Sequence, residues 1–104
     1  MTEAELSAQI RALCTELHLH GFSITTYQIP GASRRPGSSK GFPDWVIAGR
    51  SKILFAELKS ATGRRSRAQI RWAQAIIAAG GDYVLWRPAD LTGGTIRQQL
   101  QAIR

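Results

Sequence analysis

The sequence predicts an α/β fold, a mixed β-sheet flanked by helices with the elements in the order α-β-β-β-α-β-α. Three observations lead to this prediction. Apolar residues recur at helical spacing in three segments, short runs of β-forming residues lie between these segments, and one helical segment separates two strand-like ones. A helix between two strands at this spacing is typical of a parallel crossover, here joined to an antiparallel meander. The 104 residues correspond to a single domain, residues 1–104.

The first predicted helix covers residues 2–20. One apolar stripe at helical spacing runs along it, formed by Leu6, Ile10, Leu13 and Leu17. Thr2 followed three residues later by Glu5 has the form of a capping box, which predicts where the helix begins. Gly21 is the predicted stop.

Three strands are predicted next. Residues 22–29 are rich in β-forming residues, and residues 30–41 form a loop rich in glycine, serine and basic residues. Residues 45–48 and 52–59 are predicted to form a hairpin around a tight turn at residues 49–51. The strand at residues 52–59 is apolar on both faces until its end, which predicts a central position in the sheet.

The second half begins with a basic loop, residues 60–65, and a helix over residues 67–79. Ser66 and Gln69 have capping-box spacing at the start of this helix. Its predicted inner stripe is Ile70, Ala73, Ile76 and Ile77. Residues 83–87 form the last predicted strand, and Thr95 is the predicted N-cap of a final helix.

The charge balance indicates a polyanionic partner. The formal net charge is +7 and the pI is about 10.8, which favours nucleic acid or an anionic membrane surface. The sequence has no apolar run long enough to span a bilayer and no basic amphipathic helix, so no membrane partner is expected.

Cys14 is the only cysteine, which excludes an internal disulfide and a cysteine-pair zinc site and fits an intracellular location.

Two acidic residues stand out within a basic stretch. Between Leu17 and Gly81 there are ten basic residues and only two acidic ones, Asp44 and Glu57. In the predicted hairpin these two fall close to opposite one another, and Lys59 shares a face with Glu57. Two carboxylates suit Mg²⁺ or Mn²⁺, and the lysine could stabilise charge on a phosphate. The alternative is an exposed cross-strand network of ion pairs.

The same residues belong to a longer pattern that resembles a known family, the virus-type replication-repair nuclease (VRR-NUC) domain of the PD-(D/E)XK superfamily. The resemblance extends from the first helix to about Leu91. It is carried by Gly41-Phe42-Pro43-Asp44, Phe55-Ala56-Glu57-Leu58-Lys59, Ser66, Gln69, Trp72, Gly80-Gly81 and Tyr83-Val84-Leu85-Trp86-Arg87-Pro88. The resemblance implies a restriction-endonuclease-like core. The sequence shows no nucleotide-binding glycine pattern and no helicase motif, so the chain is expected to be the nuclease module alone.

The resemblance implies that the protein is a DNA endonuclease that uses Mg²⁺ or Mn²⁺. Small phage members of the family suggest a homodimer acting on branched DNA such as four-way (Holliday) junctions. The expected location is then the cytoplasm of a bacterial or phage-infected cell. Two alternatives remain open: a flap or general endonuclease, and an inactive DNA-binding module of the same fold.

The resemblance also assigns site residues. Asp44 and Glu57 would bind the metal with the Leu58 backbone carbonyl as a further ligand, and Lys59 would be the catalytic lysine. Gln69 would reach the site, although a capping role would explain it equally well. A glutamate of the first helix could complete the site; Glu3 is preferred to Glu5, although a first-turn acid is also favoured by the helix dipole.

Basic residues of the two loops are expected to contact DNA phosphates: Arg34, Arg35, Lys40, Arg64, Arg65 and Arg67. Solvated surface charge is the alternative for any one of them. Trp45, Trp72 and Trp86 could stack on bases or lie in a dimer interface, but core packing is the favoured interpretation.

Overall fold

The fold is described by a computed structural model, which covers residues 1–24 and 40–104. Its elements are α1 (Glu3–Glu16), β1 (His20–Ser23), β2 (Trp45–Ala48), β3 (Ile53–Leu58), α2 (Arg67–Ala78), β4 (Asp82–Trp86), α3 (Pro88–Thr92) and α4 (Thr95–Ile103). The predicted α/β class and element order are confirmed. The short helix α3 was not predicted; Pro88 begins it, and the Asp90 carboxylate accepts the backbone N–H of Arg87 at 2.8 Å.

Within the described residues the strands form one mixed sheet in the order β1-β2-β3-β4. The β1–β2 and β2–β3 pairs are antiparallel, whereas β3 and β4 run parallel and are joined through α2. The predicted meander with an attached parallel crossover is therefore confirmed. So is the central position of β3, which lies between β2 and β4.

Helix α1 ends earlier than predicted. The capping box is present, with Glu5 N–H donating to Thr2 Oγ1 at 3.1 Å and Thr2 N–H donating to Glu5 Oε1 at 2.8 Å. The predicted stop at Gly21 is wrong, because His18 adopts a left-handed φ of 57° and Gly21 lies in β1. The N–H groups of His18 and Leu19 close the helix on carbonyls of its last turn, as in a Schellman motif.

The first strand is also shifted relative to the prediction. It covers His20–Ser23 and not residues 22–29. Ile24 follows the strand, and residues 25–29 of the predicted strand and residues 30–39 of the predicted basic loop lie outside the described residues.

The main hydrophobic core lies on the face of the sheet covered by α1 and α4. Alternate residues of β2, β3 and β4 pack there against both helices; the cluster includes Leu6, Ile10, Trp45, Ile47, Leu54, Ala56, Leu58, Trp86, Ile96, Leu100 and Ile103. The indole N–H of Trp45 donates to Ser7 Oγ at 2.9 Å, and that of Trp86 donates to Gln99 Oε1 at 2.6 Å. Trp45 and Trp86 are therefore core residues and are unavailable for base stacking or an interface.

Helix α2 covers the opposite face of the sheet, but its orientation differs from the prediction. Ala73 and Ile76 are buried, whereas Ile70 and Ile77 are 38% and 59% exposed, so the predicted inner stripe is wrong for these two. The inward stripe instead runs through Gln69, half-buried Trp72 and the two buried residues, at helical spacing. The helix is thus rotated so that Gln69 faces the sheet.

Smaller differences concern the ends of elements. Gly94, with φ of 84°, precedes α4 as its N-cap, and Thr95 is the first helical residue rather than the predicted cap. No helix in the described part of the chain combines the length and apolar content needed to cross a bilayer.

Candidate active site

The hairpin β2–β3 brings Asp44 and Glu57 together. Trp45 pairs with Ala56, and continuing this register by one residue places Asp44 opposite Glu57. The Ile24 N–H donates to the Asp44 carbonyl at 2.8 Å, which ties the backbone at Asp44 to the chain leaving β1. Asp44 is 5% exposed and Glu57 1% exposed. The alternative of an exposed cross-strand network is therefore wrong for these two carboxylates.

A backbone contact fixes the Asp44 side chain beside β3. The Leu58 N–H donates to Asp44 Oδ2 at 2.8 Å. Since the N–H and C=O of one strand residue face the same side, the Leu58 carbonyl is also directed toward Asp44 and away from β4. On its other side β3 is held to β4, where the Lys59 N–H donates to the Trp86 carbonyl at 3.0 Å.

Gln69 has both of the roles that the sequence left open. Its Oε1 accepts the Ser66 N–H at 2.7 Å and its own N–H donates to Ser66 Oγ at 3.2 Å, which completes the capping box of α2. Its Nε2 donates to Glu57 Oε2 at 3.0 Å. The start of α2 is therefore hydrogen-bonded directly to the buried carboxylate of β3.

The residues before Asp44 attach this segment to α2. Gly41 has a left-handed φ of +83°, and a Cβ on it would lie 2.3 Å from the carbonyl carbon of Ala68. Only glycine allows so close an approach at this φ. The next residue, Phe42, packs edge-to-face on Trp72, with ring centroids 4.9 Å apart, and on Phe55 at 6.1 Å. Gly41 and Phe42 thus set the distance between Asp44 and the start of α2.

Lys59 follows β3 and is half-buried. Its stem lies against the turn that comes next, since a Cβ on Gly63 would be 3.5 Å from Lys59 Cδ. That turn is closed by Gly63 N–H donating to Ser60 Oγ at 3.0 Å. Arg87 Nη1 donates to the carbonyls of Ser60 and Gly63, each at 2.7 Å. Arg87 therefore fixes the loop beside Lys59, a role that the sequence analysis missed.

Tyr83 is a second residue that the sequence analysis missed. It lies on β4 opposite Phe55, on the same face of the sheet as Glu57. Burial raises the pKa of the Tyr83 hydroxyl; a hydrogen bond from Arg65 lowers it, and the nearby charges of Glu57 and Asp44 raise it further. The Arg65 guanidinium lies 5.9 Å from the centroid of the Tyr83 ring. Strand alternation in the sequence indicates the face of Tyr83, but not the β3–β4 register that places it near the carboxylates.

The basic residues expected to contact DNA are distributed unevenly. Lys40, Arg64 and Arg67 are exposed, while Arg65 is half-buried against Tyr83. Arg34 and Arg35 lie outside the described residues. Among the described residues of this set, Arg65 contacts the hydroxyl of Tyr83, which lies on the same face of the sheet as Glu57.

The first helix does not complete a carboxylate cluster. Across residues 1–24 and 40–104, no three His, Cys, Asp or Glu side chains come together as potential metal ligands, so Glu3 is not brought to Asp44 and Glu57. Glu5 is held in the capping box, where hydrogen bonds from Thr2 lower its pKa. The donor set here is two carboxylates and one backbone carbonyl. Such hard oxygen donors fit Mg²⁺ or Mn²⁺, which bind through one or two carboxylates and keep several waters.

No protein-family model, curated protein or solved structure matches this chain.

Proposed function

We propose that this protein is a metal-dependent DNA endonuclease with a restriction-endonuclease-like core. The observation that carries the proposal is the burial of Asp44 and Glu57 side by side at the end of a central hairpin, 5% and 1% exposed. Two buried carboxylates side by side supply hard oxygen ligands of the kind that a divalent cation such as Mg²⁺ or Mn²⁺ binds. A basic chain would bring phosphate to a cation held there.

Asp44, Glu57 and the Leu58 carbonyl would hold Mg²⁺ or Mn²⁺. When bound, the metal would polarise the scissile phosphate and lower the pKa of a bound water. Hydrogen bonds within the protein orient the two carboxylates: the Leu58 N–H donates to Asp44, and the Gln69 amide donates to Glu57. Both contacts restrict the rotamers of the carboxylates before any ligand arrives.

Two cationic side chains would act on the phosphate. Lys59 follows Glu57 by two residues, so its ammonium would stabilise the charge that develops on the phosphate or orient the attacking water. Arg65, held against Tyr83, would contact a neighbouring phosphate. The loop that carries Arg65 begins in the turn held by Arg87. Exposed Lys40, Arg64 and Arg67 would add affinity that depends on salt and not on sequence.

The proposed substrate is branched DNA, in particular a four-way junction, cut by a homodimer. One small subunit carries one candidate site, whereas a junction needs cuts on two strands, which two-fold symmetry supplies. Since Trp45 and Trp86 are buried in the core, a dimer interface would have to use other residues. The family resemblance and this symmetry requirement support this part of the proposal.

Cleavage of labelled DNA tests the proposal. Duplex, flap and four-way substrates are incubated with Mg²⁺, Mn²⁺ or EDTA, and cutting is expected only with metal. Asp44→Asn, Glu57→Gln and Lys59→Gln should each lower the rate by about 100-fold or more. Matched controls are Asp82→Asn and Lys52→Gln, an exposed pair 3.9 Å apart, which should leave the rate unchanged.

The same experiment separates the alternatives. Cleavage of flap and duplex but not of the junction would indicate a flap or general endonuclease. Tight binding without cutting would indicate an inactive DNA-binding module, and full activity in EDTA would contradict the metal mechanism. Light scattering at micromolar concentration reports whether the active species is a dimer.

A further inference from the structure

A cavity lined by both polar and apolar residues lies at the end of the sheet away from Asp44 and Glu57. Its volume is about 630 Å³, within the range of small-molecule sites. The segment that joins α1 to β1 contributes His18, the first residue of β1 contributes His20, the turn after β2 contributes Arg50, and the C-cap of α4 contributes Arg104. The apolar part of the wall includes Leu17 and Leu19.

This cavity is separate from the candidate active site. Asp44 comes directly before β2, and Arg50 comes directly after the turn residue Gly49 at the other end of that strand. Five residues of extended chain from Asp44 to Gly49 correspond to roughly 15 Å. The cavity also lies toward the α1 and α4 face, whereas Gln69 bonds Glu57 on the α2 face.

The chemistry of the cavity fits a phosphate. The described residues that line it include two histidines and two arginines and no acidic side chain. Arginine and histidine are donors suited to phosphate oxygens. The apolar wall next to these donors offers a surface for a sugar or a base, so the cavity matches a ligand that is charged at one end and apolar at the other.

The backbone at His18 determines where its imidazole lies. His18 has φ of 57°, in the left-handed region where glycine is the unstrained residue. A histidine there carries a conformational cost for the fold, and its exposed side chain lines the cavity. The left-handed φ belongs to the Schellman-type end of α1, and this turn is what places His18 among the residues that line the cavity.

We propose that this cavity binds the phosphate group of a nucleotide or of a nucleic-acid strand. His18, His20 and Arg50 would donate to the phosphate oxygens, and Leu17 and Leu19 would contact the rest of the ligand. This binding does not require the nuclease reaction, so the two proposals can fail separately.

The two histidines provide the assay, because they are the only histidines in the chain. Their imidazole C–H signals are followed by NMR during titration of the full chain, without divalent metal, at low salt. The probes are inorganic phosphate, adenosine monophosphate, adenosine and a single-stranded oligonucleotide. We expect phosphate-bearing probes to shift both signals to saturation at millimolar concentration, and adenosine to shift neither.

Two charge variants show whether the cavity itself binds. Arg50→Gln should raise the Kd for adenosine monophosphate by about tenfold or more, since it removes a hydrogen bond between charged partners. Lys52→Gln is the matched control: it removes the same charge from the same hairpin turn but lies outside the cavity. It should change the Kd by less than about twofold.

His18→Gly separates binding from folding. Relief of the left-handed strain should raise the Tm by a few degrees, while loss of the ring should weaken binding. A more stable variant that binds as tightly as the wild type would overturn the role of His18.

The source of the phosphate follows from the probes. An oligonucleotide that binds more than about tenfold tighter than adenosine monophosphate supports a nucleic-acid strand, and equal affinities support a free nucleotide. The proposal is overturned if no phosphate-bearing probe shifts either histidine up to about 20 mM. It is also overturned if Lys52→Gln weakens binding as much as Arg50→Gln.

Discussion

Gly41→Ala should destabilise the protein through two separate effects. Gly41 has φ of +83°, where an alanine costs about 1–2 kcal/mol. The new Cβ would also lie 2.3 Å from the Ala68 carbonyl carbon and 2.5 Å from the Gln69 nitrogen. These are backbone atoms at the start of α2, so the contact can be relieved only by moving a segment, at about 1–3 kcal/mol. The expected loss in the free energy of unfolding is about 2–5 kcal/mol.

Gly80→Ala is the matched control for the conformational effect. Gly80 has nearly the same backbone angle, φ of +86°, but no atom lies within 4 Å of the position of its Cβ. Only the conformational cost of about 1–2 kcal/mol therefore applies. The difference between the two variants isolates the steric contact of Gly41 with α2, and we expect it to be about 1–3 kcal/mol.

Thermal unfolding measures the difference, at about 4–8 °C for each kcal/mol in a domain of this size. Because α2 carries Gln69 and Gly41 lies three residues before Asp44, moving the two segments apart should also disturb the carboxylate pair. DNA cleavage measured well below both Tm values should fall for Gly41→Ala and remain unchanged for Gly80→Ala. Equal Tm shifts for the two variants would refute the close approach of Gly41 to α2.

Three further predictions concern other contacts. Gln69→Ala should lower the free energy of unfolding by about 1–3 kcal/mol in urea denaturation, since the capping-box bond from the Ser66 N–H and the bond to Glu57 are both lost; Gln69→Glu keeps the acceptor for the Ser66 N–H, and an unchanged stability for it would contradict a contribution from the Glu57 bond. Arg87→Ala should speed hydrogen exchange at the Gly63 amide, because two hydrogen bonds that hold its turn are lost; unchanged exchange would show that the turn is stable without Arg87. Burial raises the pKa of the Cys14 thiol to about 11 from 9.0, so its contribution to stability is complete below pH 9 and is lost as the pH rises through 11. Stability measured against pH should fall by about 2 kcal/mol more between pH 8 and 11 in the wild type than in Cys14→Ala, and parallel curves would contradict the raised pKa.

Local sequence signals determined most of the secondary structure. The capping boxes Thr2–Glu5 and Ser66–Gln69 begin α1 and α2, as predicted, because a cap is formed within four neighbouring residues. The run at residues 52–59 that is apolar on both faces likewise predicted a central strand, as observed for β3, since a strand covered on both faces is apolar on both. The end of α1 could not be predicted in this way. The left-handed backbone angle that ends the helix is usually adopted by glycine, which pointed to Gly21, but His18 adopts it.

For the candidate site, the sequence by itself brought Asp44 and Glu57 together, since the hairpin turn fixes the register of β2 on β3. The tertiary structure alone decided what surrounds them. The rotation of α2 that turns Gln69 toward Glu57, the placing of Tyr83 and Arg65 on the same face, and the failure of Glu3 to join the carboxylates all depend on packing between distant segments. The register of parallel β4 on β3 depends on a crossover helix and not on a turn, so no local pattern encodes it. Local hydrogen bonds such as helix caps are formed by residues that are neighbours in the sequence, so the sequence pattern reveals them. The orientation of one packed layer on another depends on the shapes of both layers, which come from distant segments.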